Sequence, residues 1–333
     1  MEDTQLWKYC SREQCQDFIL SLRLLPDYGG LSKEENRARQ LACLYMLSNH
    51  NERFYREAKL PKKNGGCRTL TVPCGLLKSV QRRILHHVLD GRAVSPYACA
   101  YCKGGSIRAN TLPHVGQKWV LKLDIRNFFD SIIFPQVYGA AFPETLFPPA
   151  AAYLLTSLCC YQERLPQGAP SSPAISNLVM KPFDEHMGAW CDDRGVVYTR
   201  YCDDMTFSGD SDPRAVYHKA RSFLQAYGFE LNEKKTRLTG RGGRQLVTGL
   251  VVNEKLQVPK QLRRELRQEI YYCQKYGIRE HLDHQARTGG CALEAHRYAA
   301  GVAGKIQFVL QMNPQDEEFK RYRALWEEMT RSL

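Results

Sequence analysis

The sequence lacks long hydrophobic runs and does not begin like an exported protein. No stretch approaches the roughly 20 consecutive apolar residues that a membrane-spanning helix needs. The first residues, Met1-Glu2-Asp3-Thr4, lack the basic and then apolar layout of a signal peptide. We therefore expect a cytoplasmic protein with no membrane partner.

Acidic residues are also fewer than basic residues. The chain has 35 Asp and Glu residues against 47 Lys and Arg residues, a formal net charge of +12. A polyanion is therefore the first partner to consider. The cations are spread from Arg23 to Arg331 instead of lining one amphipathic helix, which favours nucleic acid over a membrane surface.

Cysteine is abundant, with 13 residues, but paired spacings are scarce. Cys99 and Cys102 form one tight pair, and Cys67 and Cys74 could complete a zinc-binding set. A second pair at zinc-finger spacing is missing from the sequence. In a reducing compartment we expect free thiols in preference to disulfides or a zinc site.

The apolar periodicity predicts an α+β protein that is helical towards both ends. The hydrophobic fraction of 43% and the charged fraction of 25% are ordinary for a globular chain, and we find no repeat or low-complexity linker. Helical patterns cover residues 6–50, 77–88, 154–158, 216–227 and 259–333, and strand-like patterns cover residues 54–73, 119–125, 196–201, 205–208 and 246–252.

Three aspartates stand at the ends of predicted strands. Asp124 ends an apolar run, and Asp203-Asp204 lie between two β-prone runs, at the tip of a predicted hairpin. Adjacent carboxylates repel each other unless a cation lies between them. Oxygen ligands without a neighbouring histidine favour Mg²⁺. The alternative is that Asp203-Asp204 only forms a turn, where aspartate is common.

The segment Leu165–Pro173, which reads LPQGAPSSP, lies between the two acidic sites. Its Gly168 lets the backbone approach a ligand, and its prolines fix the path of the loop. A strand ending in Asp124, then the Gln-Gly loop, then Tyr201-Cys202-Asp203-Asp204 resembles the palm of reverse transcriptases. The resemblance implies a right-hand polymerase with fingers, a palm of antiparallel sheet plus helices, and a small helical thumb. On that basis residues 1–50 are an N-terminal cap, 51–118 the fingers and first palm segment, 119–252 the palm, and 253–333 the thumb and RNA-binding region.

The same resemblance implies roles for single residues. Asp124, Asp203 and Asp204 would be catalytic and would bind two Mg²⁺ ions, with the Ile125 carbonyl as a further ligand. The implied nucleotide-binding residues are Arg68, Phe129, Gln167, Gly168 and Lys235, with Lys62 or Lys63 assisting Arg68. Phe129 matches the residue that excludes a 2′-hydroxyl, and Lys235 matches the lysine that approaches the pyrophosphate. From residue type alone, core packing and plain surface charge remain the alternatives for these two.

Shorter elements resemble the retron branch of the family. They are Asn110–His114, which departs from the usual element at Thr111, Cys159-Cys160-Tyr161 and Val247-Thr248-Gly249. The retron resemblance implies reverse transcription of a structured noncoding RNA, with dNTPs, into a branched RNA–DNA hybrid, or msDNA. It further implies antiphage defence, together with an effector protein from the same operon, which the residues do not identify.

Basic residues on the predicted C-terminal helix are candidates for contact with that RNA. Arg263, Arg264 and Arg267 lie beside an apolar face and could reach phosphates, although a solvated helix face is the alternative. Two other functions stay open. One is a different prokaryotic reverse transcriptase, of the group II intron or diversity-generating type. The other is a noncatalytic RNA-binding module with a palm-like fold, which would be expected to have lost metal ligands.

Overall fold

The computed structural model describes residues 7, 9–61, 65–287 and 294–331. The helices in these ranges are α1 (Arg12–Ser21), α2 (Lys33–Asn49), α3 (Gly75–Ile84), α4 (Ile107–Thr111), α5 (Phe128–Ser131), α6 (Phe134–Ala141), α7 (Pro149–Cys159), α8 (Ser172–Asp192), α9 (Pro213–Ala226), α10 (Lys260–Tyr276), α11 (Ile278–Arg287), α12 (Ala295–Met312) and α13 (Glu317–Thr330). The strands are β1 (Tyr55–Pro61), β2 (Cys67–Pro73), β3 (Trp119–Asp124), β4 (Val197–Tyr201), β5 (Asp204–Gly209), β6 (Arg237–Gly240), β7 (Leu246–Val247) and β8 (Leu250–Val251). The predicted α+β class is confirmed.

The N-terminal helices begin where the sequence supplies capping residues. Ser11 accepts a hydrogen bond from the Gln14 backbone, and the Gln14 side chain bonds back to Ser11. Ser32 and Glu35 repeat this arrangement at the start of α2. The predicted helical N-terminal segment is therefore confirmed over the residues that the structure describes.

The central sheet has the antiparallel strand order β4-β5-β3-β6. Alternation along β3 gives the sheet two different faces. Leu121 and Leu123 point into the larger hydrophobic core with the helices behind the sheet. Val120 packs into a second core, which the C-terminal elements form, and Asp124 lies further along the face that carries Val120. The acid therefore lies on the face of the sheet that the larger core does not cover.

The segment 246–252 differs from its prediction as a single strand. It forms a tight hairpin in which β7 pairs with β8. Thr248 has a φ of 44° and Gly249 a φ of 83°, so two consecutive residues in left-handed geometry reverse the chain. Positive φ at both central residues is what a two-residue hairpin turn of type I′ requires.

The C-terminal helices enclose their own core. Leu266, Ile270 and Cys273 on α10 pack with residues of α12 and α13, including Trp326. In the part of the chain that the structure describes, no helix has the length and apolar character needed to cross a membrane.

Candidate active site

The antiparallel register of the sheet brings the separated aspartates together. Asp124 at the end of β3 is the direct partner of Asp204 at the start of β5. Asp203 precedes it in the turn, and its carbonyl accepts a hydrogen bond of 3.1 Å from the Ile125 backbone. Asp203 and Asp204 lie 79 and 80 positions after Asp124 in the chain, and the three acids meet at one end of the sheet.

The segment after residue 229 delivers a lysine to this site. The Arg126 backbone donates to the Glu230 carbonyl, and the Asn232 backbone donates to the Asp124 carbonyl, so the segment runs beside the end of β3. A turn at 232–236 then directs Lys235, whose Nζ lies 2.7 Å from Asp124 Oδ2. The hydrogen bond to Asp124 is the main cause that raises the pKa of Lys235.

The electrostatics of the site favour a cation. Burial raises the pKa of Asp204, and the charges of Asp203 and Asp124 raise it further, while Lys122 lowers it. Lys122 lies on the same face of β3 as Asp124, and Thr206, its partner on β5, follows Asp204 by two residues. Crowded carboxylates of this kind are stabilised by positive charge.

The donor set fits Mg²⁺ in its chemistry. Asp124, Asp203 and Asp204 offer only carboxylate oxygens, which are the ligands that magnesium prefers. Among the described residues, no three acidic, histidine or cysteine side chains are already gathered as a closed metal cage. Mg²⁺ often uses only one or two carboxylates and completes its coordination with water and substrate phosphate, so an open set is compatible with it.

Two adjacent phenylalanines follow Asp124 and have different surroundings. Asn127 has a φ of 46°, and this left-handed residue begins the short helix α5. Phe128 is buried and packs on Phe229, with ring centroids 6.1 Å apart. Phe129 is only half-buried. Phe128 therefore lies in the core and Phe129 at its edge, and a contact of Phe129 with a nucleotide stays a prediction.

The Gln-Gly loop packs against the N-terminal hairpin formed by β1 and β2. The backbone of Thr71 on β2 donates a hydrogen bond of 3.0 Å to the Gln167 carbonyl. Gly168 has a φ of 133°, and a Cβ added there would lie 2.9 Å from the Thr71 carbonyl oxygen. Arg68 lies exposed on the same strand. The structure therefore places Gln167, Gly168 and the strand that carries Arg68 in one region, whereas Lys62 and Lys63 lie outside the described residues.

The three arginines proposed for RNA contact differ from one another. Arg263 pairs with Asp316, and its Nη2 lies 2.7 Å from Glu318 Oε2. Arg267 also pairs with Glu318, at 2.5 Å. Arg264 is exposed and has no ion pair among the described residues. Two of the three candidates thus join α10 to α13, and only Arg264 presents an uncommitted guanidinium.

Cys99 and Cys102 lie close to the hairpin that carries Asp203 and Asp204. Cys99 is buried and its backbone donates to the Arg200 carbonyl. The Cys102 thiol donates to the Ala98 carbonyl at 3.2 Å. Burial raises the pKa of Cys99 to about 11, which keeps this thiol protonated.

The sequence does not predict several buried contacts that support the strands carrying Asp203 and Asp204. Arg200, next to the Tyr201–Asp204 segment, is fully buried against Asp184. The sequence shows Arg200 directly before that segment, but it does not show that Asp184 on α8 is its partner. His114 lies buried between Ser208 and Thr199. Thr111 and Thr248 bond to each other at 3.0 Å, so the Asn110–His114 and Val247–Gly249 elements are in contact.

Comparison with known proteins agrees with this geometry. Residues 60–261 match the sequence profile of the family described as reverse transcriptase (RNA-dependent DNA polymerase). The chain is 36% identical over 286 residues to the retron Mx65 reverse transcriptase of Myxococcus xanthus, covering 80% of this chain and 63% of that protein. It is 35% identical over 250 residues to the retron Ec86 reverse transcriptase of Escherichia coli, covering 73% of this chain and 77% of that protein.

Solved structures give more distant likenesses. A telomerase structure from Candida albicans has a TM-score of 0.47 and 10% sequence identity, covering 83% of this chain and 63% of that one. The profile match covers more than half of the chain, including the acids and the Gln-Gly loop, and the Ec86 match covers over two thirds of that relative. The chain therefore belongs to the reverse transcriptases, the family of RNA-dependent DNA polymerases, and within it to the retron reverse transcriptases.

Proposed function

We propose that this protein is an RNA-directed DNA polymerase that copies a structured noncoding RNA into a branched RNA–DNA hybrid and serves antiphage defence. The single observation that carries the catalytic part is the pairing of Asp124 with Asp204, with Asp203 in the adjoining turn. The retron relatives support the choice of template and product. The net charge of +12 supports a nucleic-acid partner.

Each residue of the site has a part in this reaction. Asp124, Asp203 and Asp204, with the Ile125 carbonyl, would hold two Mg²⁺ ions. When bound, these ions would supply activation of the primer hydroxyl and would offset the charge of the leaving pyrophosphate. Lys235, already bonded to Asp124, neutralises charge or donates a proton on the pyrophosphate side.

The nucleotide pocket is proposed to form from the residues next to the acids. Phe129 blocks the space that a 2′-hydroxyl needs and so selects deoxynucleotides. Gln167 and Gly168 contact the incoming nucleotide and the template base. Arg68 forms a bidentate contact with the triphosphate, for which a guanidinium is suited. In this assignment residues 51–118 serve as fingers and first palm segment, 119–252 as palm, and 253–333 as thumb, with residues 1–50 as a cap.

The test of the catalytic assignment is the double substitution Asp203→Asn and Asp204→Asn. We expect DNA synthesis on an RNA template to be lost, because neutral amides are poor ligands for a pair of divalent ions. RNA binding should persist within about twofold, since neither residue is a cation that contacts phosphates. Glu230→Gln is the control, because this exposed acid lies beside Arg126 but not in the sheet register. Substantial synthesis by the double variant contradicts the assignment.

The choice of template is tested separately by sequencing the nucleic acid that copurifies with the protein. We expect a small structured RNA joined covalently to DNA. A group II intron RNA would instead indicate the intron type of enzyme. Binding of RNA without primer extension by the wild-type protein would indicate a noncatalytic module.

A further inference from the structure

A fully buried ion pair lies beneath the catalytic hairpin. Arg200 on β4 and Asp184 on α8 both have side chains that are 0% exposed, and their closest atoms are 2.6 Å apart. Arg200 belongs to the face of the sheet opposite the catalytic acids, because its partner on β5 is Met205 and not Asp204. The guanidinium therefore approaches the hairpin from the core side.

Burying this ion pair in the core carries a free-energy cost. Removing two charges from water costs several kcal/mol per ion, and well-packed apolar residues are often as stable or more so. Here both charged groups have several hydrogen-bond partners. The Arg200 Nε donates to Asp184 at 2.8 Å, Nη2 donates to Asn177 at 3.1 Å, and the Tyr198 hydroxyl donates to Asp184 at 2.7 Å. Such a network fixes the direction of each group in it.

One arm of the guanidinium contacts the catalytic turn. Arg200 Nη1 donates a hydrogen bond of 2.9 Å to the carbonyl of Cys202. Cys202 has a φ of 62°, a left-handed conformation that is strained for a non-glycine residue. Asp203 and Asp204 follow Cys202 immediately in the chain. The orientation of the Cys202 peptide therefore determines the positions from which both carboxylates extend.

The network also joins the turn to the helix that follows the Gln-Gly loop. Asn177 and Asp184 both lie on α8, which begins at Ser172. Asn177 further donates to the Ala100 carbonyl at 2.7 Å, and so it holds the 97–101 loop beside the hairpin. Arg200 is thus the common donor between the helix behind the nucleotide loop and the turn that carries two of the acids.

We propose that Arg200, held by Asp184, is a positioning residue that fixes the strained Cys202 peptide and thereby aims Asp203 and Asp204 at the metal site. The proposal rests on the proposed function of these aspartates as metal ligands. It predicts that loss of the Arg200 contact weakens metal binding and slows the chemical step. Binding of RNA should change little, because the Arg200 side chain is fully buried and cannot reach it.

The test uses two variants that keep the core filled. Arg200→Lys keeps the buried charge beside Asp184 but cannot donate to Asp184, Asn177 and Cys202 together, because an ammonium lacks the planar fork. The double variant Asp184→Leu and Arg200→Met removes both charges, a change that is often neutral for stability. Tyr198→Phe is the control, because it removes one hydrogen bond to Asp184 and leaves the Cys202 contact in place.

Three quantities are measured on each folded variant. They are the single-turnover rate of dNTP incorporation on an RNA template, the affinity for Mn²⁺ by electron paramagnetic resonance without nucleotide, and the midpoint of thermal unfolding. We expect Arg200→Lys and the double variant to lose about 100-fold in rate, the effect that a displacement of about 1 Å can have. Their Mn²⁺ affinity should fall at least about threefold, while Tyr198→Phe stays within about threefold of wild type in rate.

The outcomes separate positioning from stability. A folded Arg200→Lys or double variant with wild-type rate and wild-type Mn²⁺ affinity overturns the proposal. Failure of both variants to fold assigns the pair to stability alone and also overturns it. The proposed function fails in a different way, namely if the wild-type protein extends no primer or if the Asp203→Asn and Asp204→Asn variant does.

Discussion

Phe128 and Phe129 are neighbours in the chain that have different surroundings. Phe128 is 4% exposed and belongs to the larger core, whereas Phe129 is only half-buried. The short helix α5, which begins after the left-handed Asn127, turns the two rings in different directions. Substitutions at these positions should therefore affect different properties.

Phe129→Ala is expected to admit ribonucleotides. Removing the ring opens space for a 2′-hydroxyl, and we expect the preference for dNTP over rNTP to fall about 10- to 100-fold. Competitive primer extension with mixed nucleotides measures this ratio. Phe128→Ala is the matched control, and it should instead destabilise the fold by about 3–5 kcal/mol as a core truncation. Unchanged sugar discrimination by Phe129→Ala would argue against its role as a gate.

At the scale of elements, the Gln-Gly loop depends on a glycine because it packs tightly on β2. Gly168→Ala would force a Cβ to within 2.9 Å of the Thr71 carbonyl at a φ of 133°. We expect a loss of about 2 kcal/mol in unfolding free energy, from strain and steric conflict together. The displaced loop should also lower incorporation at limiting dNTP about tenfold.

Gly301→Ala is the control for that substitution. Gly301 lies within α12, where an added Cβ meets no atom within 4 Å, so alanine should stabilise the protein by about 0.5–1 kcal/mol. Chemical denaturation and steady-state kinetics distinguish the two variants. A Gly168→Ala protein with wild-type stability and dNTP dependence would show that the loop does not need this close approach.

His114 joins the 3₁₀ turn Leu112–His114 to β4 and β5. It is fully buried, with Nδ1 2.7 Å from Ser208 Oγ and Nε2 2.8 Å from Thr199 Oγ1. Burial lowers the pKa of His114 from 6.5 to about 3, so the folded protein holds the neutral ring. The unfolded chain binds a proton below pH 6.5 that the folded protein does not.

The contribution of His114 to stability is therefore complete above pH 6.5 and is lost as the pH falls from there towards 3. We expect the difference in unfolding free energy between wild type and His114→Asn to shrink by about 1.4 kcal/mol per pH unit below pH 6. Denaturation at several pH values measures this slope. Parallel pH profiles for wild type and His114→Asn would contradict the buried neutral histidine.

At the scale of the whole molecule, only part of the positive charge behind the net value of +12 is free to contact RNA. Arg263 and Arg267 are committed to Asp316 and Glu318, whereas Arg264 is exposed and has no ion pair in the described ranges. Net charge alone overstates the number of cations available to phosphates.

Arg264→Gln should consequently lower the dependence of RNA affinity on salt. A lost phosphate contact reduces the slope of log affinity against log salt concentration by about one unit. Arg267→Gln is the control, and it should leave this slope unchanged, because its guanidinium pairs with Glu318. Titrations of the copurifying RNA at several salt concentrations give both slopes. Equal slopes for wild type and Arg264→Gln would remove Arg264 from the RNA interface.

The sequence by itself determined the local elements and the family. Capping residues set the starts of α1 and α2, a nearly continuous apolar run set β3, and β-prone runs on either side of Asp203-Asp204 set the hairpin. These features depend on neighbours within a few positions, so they can be read along the chain. The ordered segments around the three aspartates were specific enough to indicate a reverse transcriptase.

Only the tertiary structure decided which distant residues meet. The register that sets Asp124 opposite Asp204, the approach of Lys235 to Asp124, and the pairing of Arg200 with Asp184 all join positions on different elements. The same is true of Arg263 and Arg267, which appear solvent-facing along α10 until α13 packs beside them. Such contacts arise from the packing of whole elements, and the periodicity of one segment does not encode the partner of its charged side chains.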